Sequence, residues 1–469
     1  MRYSLVVDER IWHRLREHLL RDQSEHLAFL LARLSGNSLL VRDLVEVSDE
    51  ALEDGARRGG LSLRLSVLLD IMNKANRQQL MLVEAHSHPF CKHEVGFSAI
   101  DLEGQQELAA YLADVSPGRL YAALVLGQEA VTGLVWSDSE KPTRLDEVRV
   151  VGPVLERWRG DGIPRQSRTR TAGNGASGQH YHRQVLALGP GGQRLLQTTR
   201  VAVVGAGGIG SVVLQELAYL GVSAFLIIDD DAVEASNLNR LVGASPASVD
   251  RLKVDVMKDM IDQINPRASV EGLSCSIRES PALAAVRTAD VIMGCVDTDS
   301  ARLILNETAL AYLIPYVDSG VGIEVKDREI VEAGGRVVVW VPGRPCLLCS
   351  KDISPRIAAE ELETPEEHKF RQTHGYVEGA SVPEPAVISL NGTVASLAVT
   401  EFLALVTGLR PSNHYTYYDM LQQCAGRRVV RPNPGCIACA VEGLGDLANI
   451  DRYCRVGLPG DLPRLGGSQ

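Results

Sequence analysis

Two histidines, a serine and an aspartate lie close together in the N-terminal third of the chain. His86 and His88 follow an apolar stretch that resembles a strand, and Ser98 and Asp101 open a helical pattern. Alternate residues of a strand point to one side, so both imidazoles can face one metal ion. Two imidazoles and one carboxylate leave a tetrahedral zinc one position for water, whose pKa falls from about 15.7 to about 7 on the metal. The pattern predicts a hydrolytic zinc site.

Each of these residues also has a simpler interpretation. Ser98-x-x-Asp101 matches a helix capping box, and His86 and His88 could be surface residues of an edge strand. Glu25 precedes an apolar run in SEHLAFLLARLSG. A glutamate at such a position is common, so Glu25 taken alone is weak evidence for a site. The presence of all five residues in this order favours the metal site.

This order, an upstream Glu followed by HxHP and SxxD, resembles the JAMM (MPN+) metalloprotease family. The resemblance implies that His86, His88 and Asp101 bind zinc. It also implies that Glu25 is the general base that returns a proton to the leaving amine, and that Ser98 donates a hydrogen bond to the oxyanion. The family cleaves isopeptide or peptide bonds after the C-terminal Gly of ubiquitin-like proteins. Eight residues separate Pro89 from Ser98, a longer loop than in eukaryotic members.

A glycine-rich turn lies further along the chain, in VAVVGAGGIGSVVLQELAYLG. An apolar strand pattern precedes it and a helical pattern follows, so the backbone can approach a phosphate at the helix N-terminus. Asp229 comes 19 residues after the last glycine, which suits a ribose hydroxyl. Alone, this fingerprint also fits an NAD-binding Rossmann domain. The glycines of the turn are Gly205, Gly207, Gly208 and Gly210.

The residues that follow the turn favour a different activity. YHRQ at 181–184, SNLNR, a lysine thirteen residues after that arginine, and D-x4-R-x3-N resemble the ThiF/MoeB/HesA family and the ubiquitin-activating enzymes. The resemblance spans residues 179–441. Because an anionic carboxylate must approach the α-phosphate of ATP, adenylation requires cations in the pocket.

The same resemblance implies roles for individual residues. Asn237, Arg240 and Lys253 contact the phosphates, and Asp297 carries Mg²⁺. Arg183 resembles the arginine that family members supply across a dimer interface, which implies a homodimer.

Four cysteines form two CxxC pairs 90 residues apart, Cys346 with Cys349 and Cys436 with Cys439. Four thiolates can close a structural zinc site, as in the ThiF/MoeB family; a redox role is the alternative. Many activating enzymes carry a reactive cysteine after the first pair, but no cysteine lies between positions 349 and 424 here.

Thr373, Ser381 and Ser389 lie near that missing position, and Ser381 is the nearest to it. An unactivated hydroxyl is a weak nucleophile, so we expect direct transfer of the adenylate to another protein rather than an oxyester on Ser381. The acceptor would be a conjugating enzyme or a sulfur donor.

Four stretches that differ in composition and periodicity must position these residues. Residues 1–158 predict a small α/β domain, with an apolar run at 26–31, strands near 39–47, 80–85 and 120–126, and helices near 7–20, 63–77 and 102–113. Residues 159–178 predict a flexible linker. Strand and helix patterns alternate over 179–441, which predicts a doubly wound parallel sheet, and residues 442–469 predict a surface tail. The fold class is therefore α/β in both domains.

Composition excludes several classes. The 469 residues carry 48 basic and 59 acidic side chains, a net charge of −11, and 45% are hydrophobic. This balance argues against a nucleic-acid or anionic-membrane binder. No apolar run reaches the roughly 18 residues of a membrane span, and the N-terminus lacks the apolar centre of a signal peptide, so we expect a cytoplasmic protein.

Together these patterns predict a bifunctional enzyme that acts on a ubiquitin-like protein. The zinc peptidase would trim or deconjugate this protein, and the second domain would adenylate its C-terminal Gly with ATP and Mg²⁺. Two alternatives remain open. One is activation of a sulfur carrier for cofactor or cysteine synthesis, and the other is an inactive scaffold that binds a ubiquitin-like fold.

Overall fold

The computed structural model describes residues 2–53, 61–116, 118–137, 141–161, 179–363 and 385–454. We call residues 2–161 the N-terminal domain and residues 179–454 the C-terminal domain. Each contains one eight-stranded sheet. The N-terminal domain contains β1 (Tyr3–Asp8), α1 (Glu9–Leu19), β2 (Leu27–Ser35), β3 (Ser38–Glu46), α2 (Leu65–Arg77), β4 (Met81–Ser87), α3 (Ala99–Val115), β5 (Tyr121–Leu126), β6 (Val131–Trp136), β7 (Thr143–Val151) and β8 (Glu156–Arg159).

The N-terminal sheet closes on itself because β1 pairs with both β3 and β7. One face encloses a core that includes Leu30, Val83 and Val148, packed against Trp12 of α1. The other face of β2, β4 and β5 is covered by α2 and α3. Strands β2 and β4 are antiparallel, so the beginning of β2 lies beside the end of β4, where His86 is paired with Leu27. This pairing brings the segment after Glu25 to the HxHP sequence.

The C-terminal domain follows the predicted alternation of strands and helices. Its elements are α4 (His182–Thr198), β9 (Arg200–Val204), α5 (Gly208–Tyr219), β10 (Ala224–Ile228), α6 (Lys253–Ile264), β11 (Ser269–Leu273), α7 (Ser280–Val286), β12 (Val291–Gly294), α8 (Asp299–Tyr312), β13 (Tyr316–Lys326), β14 (Glu329–Trp340), α9 (Leu347–Ser350), α10 (Pro355–Leu362), α11 (Ile388–Thr407), β15 (Tyr415–Asp419) and β16 (Cys424–Arg427).

The strand order of this sheet creates a crevice. The order is β11-β10-β9-β12-β13-β14-β15-β16, and the strands from β11 to β13 are parallel. The chain runs outward from β9 to β11 and then returns to β12 on the other side of β9. Ligands of such sheets bind outside the carboxyl ends of the strands at this reversal. Strands β14 to β16 add an antiparallel extension that the sequence patterns did not predict.

Helix α11 is the one described helix long and apolar enough to cross a membrane, with a mean hydropathy of 1.4. It instead packs against α5 and β13, and its faces are largely buried. The buried Glu401 carboxylate in this helix accepts hydrogen bonds from Arg410 at 2.7 and 3.0 Å. We therefore interpret α11 as a core helix of the C-terminal domain.

The two domains share a continuous contact, which we call the domain junction. Val6, Leu40, Val151 and Leu155 pack into the core of the C-terminal domain. The Leu155 N–H donates to the Leu405 carbonyl at 2.8 Å, so backbone hydrogen bonds also cross the junction. The face of β1, β3 and β7 that α2 and α3 leave open is thus covered by the other domain.

A buried ion cluster completes the junction. Arg149 and Arg157 of the N-terminal domain contact the Asp290 carboxylate at 3.1 and 2.5 Å, and the Arg200 N–H donates to it at 2.7 Å. Burial opposes ionisation of Asp290, but the two guanidinium groups outweigh it and lower the pKa of this carboxyl. Asp290 precedes β12 and Arg200 begins β9, so the junction lies at the amino ends of the parallel strands, opposite the crevice.

The expected linker and tail differ from the structure in two places. β8 extends to Arg159 and Asp161 bridges Thr132, so residues 159–161 belong to the sheet. The rest of the linker, 162–178, lies outside the described residues. From residue 442 the chain packs onto α8, where Asp446 accepts a hydrogen bond from Tyr312 at 2.8 Å and Ile450 is buried. Residues 442–454 are therefore part of the core rather than a surface tail.

Candidate functional site

The glycine turn between β9 and α5 lies at the crevice. Gly205 has φ +88°, and a Cβ there would lie 2.5 Å from the Cys295 carbonyl oxygen, because the loop after β12 packs directly against it. A Cβ on Gly210 would lie 1.9 Å from the Gly205 carbonyl oxygen. At Gly207, by contrast, a Cβ would meet nothing within 4 Å. The turn is packed closely on the protein side and open on the side where a phosphate would bind.

Asp229 and Lys253 lie beside this turn. The Asp229 carboxylate accepts hydrogen bonds from the Ala206 N–H at 2.6 Å and the Asp231 N–H at 3.0 Å. Burial raises the pKa of this carboxyl. The Lys253 ammonium lies 2.5 Å from Asp231 and 3.9 Å from Asp229. Asp229 therefore holds the turn closed in addition to facing the crevice, and Lys253 is ion-paired within the protein.

The remaining predicted phosphate residues lie on the short turns after β10. The Arg240 guanidinium donates to the Ser236 carbonyl at 2.7 Å and to the Asn239 side chain at 3.1 Å. Asn237 accepts a hydrogen bond from the Glu234 N–H at 3.1 Å, which caps the turn. The Arg240 stem lies 3.4 Å from the position of a Cβ on Gly208, so this arginine adjoins the glycine turn.

Asp297 follows β12 and is exposed at the crevice. Arg302, the arginine of the D-x4-R-x3-N motif, was assigned no role from the sequence. Its guanidinium stabilises this loop by donating to the Val296 carbonyl at 2.9 Å and to the Asp297 carbonyl at 3.3 Å. One helical turn on, Asn306 accepts a hydrogen bond from the Leu347 N–H at 3.0 Å. The D-x4-R-x3-N motif thus joins the crevice to the CxxC turn.

The four cysteines converge at the end of α8. The sulfur atoms of Cys346 and Cys436 lie 3.6 Å apart, those of Cys349 and Cys439 lie 3.6 Å apart, and all four lie within 4.8 Å of one another. Tetrahedral zinc with Zn–S bonds of about 2.3 Å places sulfurs about 3.8 Å apart. The four sulfur atoms therefore fit a structural zinc ion, which would link the residues after β16 to the rest of the domain.

His86, His88 and Asp101 converge at the end of β4. Both imidazole Nε2 atoms lie 3.5 Å from the same Asp101 oxygen, and the three donors lie within 4.8 Å of one another. The Nε2 of His86 is buried and has no hydrogen-bond partner, so a metal ion would satisfy it. Burial opposes ionisation of Asp101, but the two adjacent histidines lower its pKa. This set fits a zinc ion with an open position.

Glu25 and Ser98 lie at the same cluster. The Glu25 carboxylate is 3.6 Å from the His88 Nε2. The Ser98 hydroxyl accepts from the Asp101 N–H at 3.2 Å, and the Asp101 carboxylate accepts from the Ser98 N–H at 2.6 Å. The capping box is therefore formed, and the metal donors converge as well, so the two interpretations of SxxD are compatible.

Sequence reasoning missed Glu84, two residues before His86 on the same side of β4. Its carboxylate is 3.8 Å from the His86 Nδ1 and accepts a hydrogen bond from the Tyr121 hydroxyl at 2.8 Å. Burial raises the pKa of Glu84. The alternation of β4 placed Glu84 beside His86, and this was the signal that could have found it.

Four predicted residues lie away from these clusters or outside the described residues. Arg183 is exposed on α4 and has no ion pair among the described residues. Ser389 lies in the first turn of α11. Thr373 and Ser381 fall outside the described residues.

The reversal of strand order, with a glycine turn and a helix N-terminus at the crevice, defines a nucleotide-binding α/β protein. The ThiF family model matches residues 181–438, more than half of the chain. The chain belongs to the ThiF family. The matched region contains the glycine turn, Asp297 and the four cysteines, whereas the His86–Asp101 cluster lies outside it.

Curated relatives agree with the family. The SAMP-activating enzyme E1 of Haloferax volcanii is 28% identical over 58% of this chain and 92% of its own length. The molybdopterin-synthase adenylyltransferase of Escherichia coli is 29% identical over 55% of this chain and 95% of its own length. A solved structure of E. coli MccB with ATP is 21% identical, with a TM-score of 0.43 over 56% of this chain and 75% of that one.

Proposed function

We propose that the C-terminal domain adenylates the C-terminal glycine of a small sulfur-carrier or ubiquitin-like protein. The observation that carries this proposal is the ThiF match over residues 181–438, in which the glycine turn and Asp297 meet at the crevice. One relative is a sulfur carrier protein adenylyltransferase, 29% identical over 58% of this chain, and another is a ubiquitin-like modifier-activating enzyme, 27% identical over 51% of it. Sulfur-carrier activation is therefore the better supported of the two.

The chemistry assigns a task to each group. The glycine carboxylate attacks the α-phosphorus of ATP, the bond to the bridging oxygen breaks, and pyrophosphate leaves with its electron pair. The α5 N-terminus faces the phosphates, and Arg240 and Lys253 offset the repulsion between the carboxylate and the triphosphate. Asp297 would hold Mg²⁺, which supplies further charge neutralisation.

Because no cysteine lies between positions 349 and 424, a thioester cannot form in the segment between them. The adenylate would therefore pass directly to a sulfur donor or to a residue of a conjugating enzyme. An oxyester on Ser381 is the alternative, and hydroxylamine-sensitive covalent labelling of this chain would identify it. We also propose that the protein forms a homodimer in which each subunit supplies Arg183 to the crevice of the other. A cytoplasmic location is part of the same proposal.

The test is ATP–pyrophosphate exchange with a panel of small β-grasp proteins that end in Gly-Gly, ubiquitin among them. Exchange that depends on the Gly-Gly tail supports adenylation. Exchange with none of them, together with tight NAD binding, contradicts it. The scaffold alternative predicts carrier binding without exchange.

The N-terminal domain supports a second candidate function, a zinc-dependent peptidase that trims or removes the same tail. The observation that favours it is the convergence of His86, His88 and Asp101 around the unpartnered His86 Nε2. A bound zinc would supply the acidity that activates water. Glu25 lies where it could accept a proton from that water and return it to the leaving amine.

The peptidase is tested with linear and isopeptide-linked Gly-Gly fusions of the carrier that supports exchange. Zinc-dependent cleavage that a chelator abolishes and added zinc restores supports it. Cleavage that survives in the Glu25→Gln variant contradicts the assignment of the base.

A further inference from the structure

Asn391, in the first turns of α11, lies against the glycine turn. A Cβ on Gly208 would lie 2.3 Å from the Asn391 amide nitrogen and 3.4 Å from the Arg240 Cδ. Gly208 is the first residue of α5, so Asn391 and Arg240 meet at the N-terminus of the helix that faces the phosphates. Asn391 therefore belongs to the wall of the crevice, although no motif in the sequence indicated it.

The Asn391 side chain has an unused hydrogen-bonding group. The residue is 3% exposed, and its carbonyl Oδ1 is buried with no partner. A buried acceptor without a donor is unfavourable, and native proteins retain such a group mainly where a ligand or another function accounts for it. The Oδ1 atom can accept only from a donor that arrives with the ligand or moves when the ligand binds.

The chemistry of the ligands narrows the choice of donor. Phosphates and the reacting carboxylate offer acceptors, so they cannot satisfy a carbonyl oxygen. The ribose hydroxyls are expected at Asp229, directly after β10, and the adenine amino group lies on the far side of the ribose from the phosphates. Neither donor is therefore expected at the N-terminus of α5. The terminal peptide N–H of the incoming tail is a donor that must come close to the α-phosphate, because it belongs to the glycine whose carboxylate reacts.

We propose that the Asn391 Oδ1 accepts a hydrogen bond from the terminal peptide N–H of the bound tail, and thereby selects a peptide chain that ends in glycine over other carboxylates. This inference rests on the proposed adenylation and names a residue that recognises the substrate. The hydrogen bond would hold the glycine carboxylate in line with the α-phosphorus.

The experiment compares Asn391→Ala and Asn391→Leu with the wild type in ATP–pyrophosphate exchange, using the panel protein that the wild type activates. Leucine keeps the branched shape of asparagine at Cγ without its polar atoms, so it serves where alanine fails to fold. We expect the KM for the carrier to rise about tenfold while the KM for ATP changes by less than about twofold, as for one lost hydrogen bond. Thr393→Ala, on the same helix with a hydroxyl bonded to the Ser389 carbonyl, is the matched control.

A semisynthetic carrier with an N-methylated last glycine removes the donor instead of the acceptor. We expect it to weaken wild-type exchange and to produce little further loss in Asn391→Leu. Equal KM values for the carrier in variant and wild type, or additive losses from the two changes, overturn the inference while adenylation stands. Absence of wild-type exchange with every carrier overturns the proposed function as well.

Discussion

The His86–Asp101 cluster and the nucleotide crevice prepare for their ligands in different ways. At the cluster the donors already converge, and the buried His86 Nε2 has no hydrogen-bond partner. At the crevice the cations Lys253 and Arg240 are bonded to Asp231 and to the Ser236 carbonyl. The cluster is therefore preorganised by its side chains. The crevice is preorganised by its backbone, and under the proposed function its cations would exchange partners to contact the phosphates of ATP.

The largest effect is expected from a substitution that disables the crevice and leaves the His86–Asp101 cluster intact. Asp297→Ala should lower ATP–pyrophosphate exchange about 100- to 1000-fold, because the site loses the carboxylate expected to hold Mg²⁺. Asp262→Ala, which changes an exposed carboxylate of α6, is the control. Zinc content measured by mass spectrometry should stay at the wild-type value in both. Normal exchange by Asp297→Ala would remove this residue from the site.

The converse substitution removes one donor from the His86–Asp101 cluster. His86→Ala should lower the zinc content from two ions per chain to one, since the four cysteines retain theirs, and leave exchange unchanged. His93→Ala, which changes an exposed histidine paired with Glu129, should keep both ions. If His86→Ala keeps both ions, His86 is not a zinc ligand.

The domain junction provides the next contrast, because it connects the two regions without belonging to either site. Asp290→Asn removes the most buried carboxylate of the cluster and leaves Arg149 and Arg157 with Glu147 alone, at 3.2 and 3.7 Å. It should lower the free energy of unfolding by about 3 kcal/mol. Urea denaturation measures this loss. A change below about 0.5 kcal/mol would mean that the ion cluster does not stabilise the junction.

The same variant has a predicted pH dependence. The pKa of Asp290 is lower in the folded protein than the usual value of about 3.9, so its stabilisation is complete above that pH and is lost as the pH falls through the folded pKa. The difference in stability between wild type and Asp290→Asn should therefore be constant from pH 7 to 5 and shrink below pH 4. A difference that grows as the pH falls contradicts this sign.

The smallest effects are expected from two substitutions that compare the two sides of the glycine turn. Gly207→Ala should fold with nearly wild-type stability but weaken ATP binding, because its Cβ would project into the open side of the turn. Gly210→Ala should instead lower the thermal unfolding temperature, because its Cβ collides with the Gly205 carbonyl. Calorimetric ATP titration and thermal melting distinguish the two outcomes, and reversed results would mean that the open side of the turn does not face the nucleotide.

The sequence predicted the elements that carry strong periodicity. β9, β10 and β12 lie within about two residues of the apolar runs at 201–204, 224–228 and 291–296, because buried parallel strands leave continuous apolar runs. The convergence of the four cysteines and of His86, His88 and Asp101 also followed from spacing. β14 to β16 were missed because their partly exposed segments lack a clear alternation.

Other features depend on contacts between distant segments and leave no local pattern. Asn391 follows the glycine turn by 183 positions, counted from Gly208, and meets it only because α11 packs against α5. The ion cluster at Asp290 joins two domains that composition alone suggests are tethered by a linker. Local periodicity carries no information about which buried polar groups will meet across a fold.

The domain junction has a consequence for how this protein could be divided. Among the residues that the structure describes, the apolar face formed by Val6, Leu40 and Val151 is covered by the C-terminal domain. Two genes, one ending near position 161 and the other beginning near position 179, should therefore yield polypeptides that co-purify as a heterodimer. Either half expressed alone should be prone to aggregate.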